Sequence, residues 1–113
     1  MSFSHLHIHS EFSALDGLIP IKKLLPLIKV HGQTACAITD HGNLFGAVDF
    51  LREAEKHKIT PILGVEQYVC ADMADRTQRR NHHLILIAVT DEGWKNLKFL
   101  NSMSHLNGFY YVP

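Results

Sequence analysis

The sequence predicts an α/β fold with a parallel sheet. Three observations predict it. Four short apolar runs, residues 3–9, 34–39, 60–64 and 82–89, read as strands. Stretches of helical periodicity separate the first three and follow the fourth, which implies right-handed crossovers. Histidine, aspartate or glutamate stands at the end of each of the first three runs, where parallel α/β folds collect their functional groups. Four strands leave an unpaired sheet edge, so the 113 residues read as one small unit cut from a longer barrel.

The opening run, Phe3 to His9, alternates histidine with apolar residues. A strand has a side-chain period of two, which sets His5, His7 and His9 on one face and Leu6 and Ile8 on the other. Residues 10–18 form a small, polar loop containing Asp16. Neutral imidazoles in a row with a carboxylate nearby form a divalent-metal donor set. Any one of these histidines, taken singly, reads more readily as a hydrogen-bonded core or surface residue than as a ligand; it is the three in register with an acid nearby that point to metal.

Ile19 to His31 is predicted to be a helix, with Pro20 in its first turn and Gly32 just past its end. Pro26 should kink it or break it in two. Thr34 to Thr39 is a short apolar run suited to a buried strand, ending in the polar turn Asp40-His41-Gly42-Asn43. Leu44, Ala47, Val48, Leu51 and Ala54 then recur at helical spacing, opposite Asp49, Arg52, Glu53 and Lys56. Thr60 to Gly64 leads as a strand into Val65 to Val69, carrying Glu66.

Ala71 to Asn81 reads as a solvated loop, whose Arg76, Arg79 and Arg80 would also suit phosphate. His82 to Val89 is the fourth strand. Thr90 suits a helix cap, with Asp91 and Glu92 at the positive end and Trp94, Leu97, Leu100 and Met103 along the buried face. His82 and His83 begin a strand, the wrong end for a parallel barrel. If residues 65–70 overran the rim, the chain could return beside them and bring His83 to Glu66.

Eleven basic and eleven acidic residues give zero net charge, which is not the footprint of an autonomous nucleic-acid binder. With 46% hydrophobic and 19% charged residues the chain reads as globular. Nine dispersed histidines are the compositional oddity. Cys36 and Cys70 read as small buried hydrophobes. No secretory or transit segment precedes the first strand and no run is long enough to span a membrane, so a reducing cytoplasm is expected.

Four stretches, HLHIHSEFSALDG, ITDHGNLFGAVDF, PILGVEQYV and HHLILIAVTDEGWKNL, resemble the opening motifs of the polymerase and histidinol phosphatase (PHP) domain. The likeness is to the version at the N-terminus of bacterial DNA polymerase III alpha subunits, and reaches the closing GFYYVP. It implies that residues 1–113 are the N-terminal portion of a distorted seven-stranded (β/α) barrel, about four strands of it, holding two or three divalent ions, zinc or manganese. It implies His7, His9, Asp16, His41, Glu66 and His83 as metal ligands, with Asp16, His41 and Glu66 as catalytic candidates. His5 stands where many relatives carry an acid, and Asp40 enters as a supporting residue; Asp40 or Ser10 would fix imidazole tautomers. Later family residues, including an Asp-x-His pair, complete the cluster.

The function implied is template-directed DNA synthesis by the whole protein, with magnesium in a polymerase domain outside these residues. The PHP site would support a 3′–5′ exonuclease. The implied partners are DNA, deoxynucleoside triphosphates and other replicase subunits, with no membrane, in the cytoplasm at the nucleoid. The rival readings are a stand-alone phosphatase acting on a small phosphomonoester such as histidinol phosphate, and a non-catalytic structural platform.

Overall fold

The computed structural model describes residues 3–72, 75, 77 and 82–107. Arg76, Arg79, Arg80 and residues 108–113 lie outside them. The elements run α1 (Ile21–Val30), β1 (Ala35–Ile38), α2 (Ala47–His57), β2 (Thr60–Val69), β3 (His82–Ile87) and α3 (Asp91–Leu106). The sheet order is β1-β2-β3. β1 and β2 pair in parallel from Ala35 opposite Thr60 to Ile38 opposite Leu63, with α2 as the crossover. This is part of a (β/α) barrel, in accord with the sequence.

The opening segment is less regular than a strand. It lies along β1 in parallel, but makes only an isolated bridge, His5 to Cys36. The Ala37 N–H donates to the His5 carbonyl at 2.8 Å and the Thr39 N–H to the Ile8 carbonyl at 2.9 Å. Three residues of the opening segment thus span what two span in β1, and the extra residue acts as a bulge.

β3 departs from the parallel expectation. It pairs antiparallel with the second half of β2, Gly64 opposite Ile87 through Val69 opposite His82. β2 overruns its pairing with β1, and the overhang needs a partner. The connecting residues 70–81 carry no apolar helical pattern that could form a crossover over the sheet, so the chain returns as an adjacent strand.

α1 is one continuous helix through Pro26, neither broken in two nor starting at Ile19. The bond that Pro26 cannot make belongs to the carbonyl of Lys22, an exposed residue. Pro20 is the N-cap and offers no side-chain acceptor; Glu11 supplies one instead, Oε2 accepting from the Ile21 N–H at 2.8 Å. The C-terminus closes as a Schellman motif. Gln33 N–H donates to Ile28 and Gly32 N–H to Lys29, with Gly32 at φ 69°.

The core is formed by Ile21, Leu24, Leu25 and Ile28 of α1, Phe50 and Ala54 of α2, Cys36 and Ile38 of β1, and Ile59. The buried face of α2 is rotated from the expected one. Phe50 and Glu53 turn inward with Ala47 and Ala54, while Val48 and Leu51 face outward. Phe50 is the bulkiest side chain of the helix, and its burial sets the rotation. α3 is capped as expected, Thr90 Oγ1 accepting from the Gly93 N–H at 3.0 Å. Leu97 is its buried residue, whereas Leu100 is largely exposed.

The two cysteines differ. Cys36 is fully buried and burial pushes its thiol up to about 11, whereas Cys70, expected inside, is exposed at the end of β2. Alkylation of the native protein at neutral pH is therefore expected to label Cys70 and spare Cys36 until denaturant is added, as read by peptide mass mapping.

Candidate metal centre

Four segments meet at one rim. The opening segment ends there with His7 and His9, and β1 runs out into Asp40 and His41. β2 passes beneath with Glu66. β3, because it is antiparallel, enters the rim by its N-terminal end, which resolves the position of His83. His83 lies opposite Tyr68 in the β2–β3 register. His82, opposite Val69, takes no part in the cluster.

Glu66 is the hub. Only 4% exposed, it faces the Nε2 atoms of both His7 and His9 through Oε2, each at 2.6 Å, and the Nδ1 of His83 through Oε1 at 2.5 Å. The two Nε2 atoms are 3.1 Å apart. His9 is shared, because its Nδ1 lies against Asp16 Oδ2, which also lies 3.4 Å from His41 Nδ1. Three triads result, His7–His9–Glu66, His9–Asp16–His41 and His41–Glu66–His83, each with its donor atoms within 4.8 Å of one another. All six residues implied by the sequence likeness are brought together.

The arrangement fits divalent cations on two grounds. Ligands about 2 Å from a tetrahedral ion lie about 3.3 Å from each other; the His7 and His9 Nε2 atoms, 3.1 Å apart, are close to that spacing, and each lies nearer, at 2.6 Å, to Glu66 Oε2. His41 Nε2 is buried with no hydrogen-bond partner, and a buried polar atom left so wants a partner from outside the protein. Electrostatics agree. Burial alone would raise the Glu66 carboxyl, but hydrogen bonds and charge from His7, His9 and His41 outweigh it and hold the group below the ordinary range. Asp16 behaves likewise, burial being overcome by His9 and His41.

His5 is outside the cluster. Its ring is exposed and meets Phe3 edge-on at 4.8 Å. The bulge between His5 and Ile8 breaks the alternation that should have kept three histidines in phase. Asp40 and Ser10 also differ from expectation. Asp40 touches no imidazole; its Oδ1 accepts from the Ser10 N–H at 2.5 Å and its Oδ2 from the Ser10 hydroxyl at 2.8 Å. It fastens the backbone after His9 to the end of β1, and burial raises its carboxyl although Ser10 partly offsets this.

Several supporting residues had no sequence signal. Ser13 Oγ accepts from the His41 N–H at 3.2 Å and donates to Asp16 Oδ2 at 3.4 Å. Asn43 Nδ2 donates to the Phe12 and His41 carbonyls. His105, from the last turn of α3, reaches the Gly42 carbonyl at 2.8 Å. The turn carrying His41 is stitched to β2 on its other side by Glu66 N–H to Asp40 and Gly42 N–H to Glu66. Tyr68 packs its ring against His41 and His83.

The profile of the PHP domain matches residues 5–113. The DNA polymerase III subunit alpha of Helicobacter pylori strain J99 is 46% identical over 114 residues, covering 99% of this chain and 9% of its own length. That of Borreliella burgdorferi is 44% identical over 116 residues, covering 98% of this chain and 10% of its own length. The chain thus spans about a tenth of these curated relatives. Among solved structures, an amidohydrolase from Chromobacterium violaceum with bound sulfate and no metal superposes with a TM-score of 0.62 at 21% identity, over 88% of this chain and 34% of that one. A protein from Bifidobacterium adolescentis proposed to be a metal-dependent phosphoesterase gives 0.62 at 19% identity, over 85% and 32%. At such identities the two structures bear on the fold alone, and it is the profile match, spanning nearly the whole sequence, that decides the family. The chain belongs to the PHP domain family.

Proposed function

We propose that residues 1–113 are the N-terminal part of the PHP domain of a bacterial DNA polymerase III alpha subunit, and that their rim is a metal-dependent phosphoesterase site. The whole protein, in this reading, copies DNA from deoxynucleoside triphosphates with magnesium in a separate polymerase domain. It works in the cytoplasm, at the nucleoid, with other replicase subunits. Likeness to polymerase subunits along nearly the full chain favours this over a stand-alone phosphatase. No helix among the described residues is long and apolar enough to cross a membrane.

The observation that carries the hydrolytic reading is the convergence of four imidazoles on two shared carboxylates, six donor side chains in all. His7, His9, Asp16, His41, Glu66 and His83 would hold two or three ions, zinc or manganese being suited to an imidazole–carboxylate set. When bound, such ions neutralise a phosphodiester and lower the pKa of an attacking water. Glu66, with one oxygen toward His7 and His9 and the other toward His83, spans two of the donor groups. Asp16 joins His9 to His41 through a single oxygen, Oδ2. Four imidazoles beside only two carboxylates keep the site from repelling a phosphate. Asp40, through Ser10, keeps His9 in place.

The test is 3′–5′ hydrolysis of single-stranded DNA by the complete protein with manganese or zinc. The expected result is activity abolished by chelation, restored by metal, and lost in the His7→Ala/His9→Ala protein. Metal-dependent activity that survives loss of both histidines would assign the chemistry elsewhere.

A further inference from the structure

We infer that Tyr68 is the platform on which the base of the substrate's terminal nucleotide stacks. This rests on the phosphoesterase reading above and extends it to the kind of phosphodiester accepted. Tyr68 stands two residues beyond Glu66 on β2, so both side chains leave the strand on the same face. Its ring centroid is 4.5 Å from that of His41 and 4.9 Å from that of His83. A phosphate bound among those imidazoles is therefore within one nucleotide's length of the ring.

The ring is also available. Tyr68 as a whole residue remains 48% exposed and belongs to no part of the apolar core. The imidazoles meet it at interplanar angles of 53° and 80°. Among the described residues, no aromatic ring lies parallel to it. A flat, half-exposed ring beside a phosphate site is the element with which proteins hold unpaired bases, and it works for every base because each has a π-face. Packing against His41 and His83 fixes the ring in advance, so stacking costs little ordering of the side chain.

The experiment compares two single strands with the complete, manganese-loaded protein, one ending in a normal 3′ nucleotide and one in a 3′ abasic sugar. The expected result is that kcat/KM favours the base-bearing end, that Tyr68→Leu cuts this preference about tenfold, and that Tyr68→Phe restores most of it. A preference equal in the wild-type and Tyr68→Leu proteins would overturn the inference, whatever the absolute rates. A strand ending in 2-aminopurine separates this from the hydrolytic reading. If no strand is cut, quenching of that base by the wild-type and Phe proteins but not by Tyr68→Leu upholds the stacking role while the hydrolytic reading falls. Equal quenching in all three removes the role.

Discussion

Replacing Glu66 by glutamine is expected to lower kcat/KM for metal-dependent hydrolysis about a thousandfold while leaving the fold in place. Glutamine keeps the size of a side chain that is almost wholly buried in β2. It removes the one negative charge shared by His7, His9 and His83, and turns one ligand oxygen into an N–H donor. Losing one preorganised group that stabilises developing charge costs roughly 3–4 kcal/mol of barrier, and each 1.4 kcal/mol is a factor of ten in rate. Steady-state rates and metal content of the Glu66→Gln protein check this. A pH consequence follows for the metal-free protein. Its neighbours depress the Glu66 carboxyl, so the unfolded chain binds this proton more readily than the folded one. The stabilising contribution is therefore present above the ordinary glutamate value of 4.5 and lost as pH falls through the lower folded value. Glu66→Gln should flatten that part of the acid-unfolding profile.

Gly17→Ala is expected to be the most damaging small substitution in the loop that carries Asp16. A Cβ at this position would fall 1.8 Å from the Ser10 carbonyl oxygen and 3.1 Å from the His9 carbonyl carbon. Both are backbone atoms and cannot swing away. The Gly17 N–H is also tied to the Ser13 carbonyl at 2.7 Å. The loop must therefore open, at a cost of about 3 kcal/mol, the upper range for forced overpacking. Opening it pulls Asp16 from His9 and His41. Denaturant midpoint and metal affinity should fall together. A Gly17→Ala protein with unchanged metal affinity would mean that the loop does not position Asp16.

Some of this was legible in the sequence because it depends on local chemistry. Gly32 and Thr90 announce a helix end and a helix start through backbone conformation and a side-chain acceptor, and the structure uses both. His7, His9, Asp16, His41 and Glu66 stood at predicted strand ends, and the parallel β1–β2 pairing with an aligned opening segment brings them together. What periodicity could not deliver was phase. One extra residue in the opening segment takes His5 out of line, and burial of Phe50 turns Val48 and Leu51 outward. The antiparallel return of β3 depends on the length by which β2 overruns β1, a property of the assembled sheet. Supporting contacts such as Asn43 to Phe12, or His105 to Gly42, join residues dozens of positions apart, and polar residues of this kind have no pattern that marks them.

The central claim is that side chains from four segments hold divalent ions at one rim. The measurement that meets it most directly is the metal content of the complete protein after equilibration with zinc or manganese and desalting, compared with a His9→Ala/Glu66→Gln variant. Two or three ions per wild-type chain are expected, with the loss of at least two in the variant. An equal metal content in both proteins would contradict it.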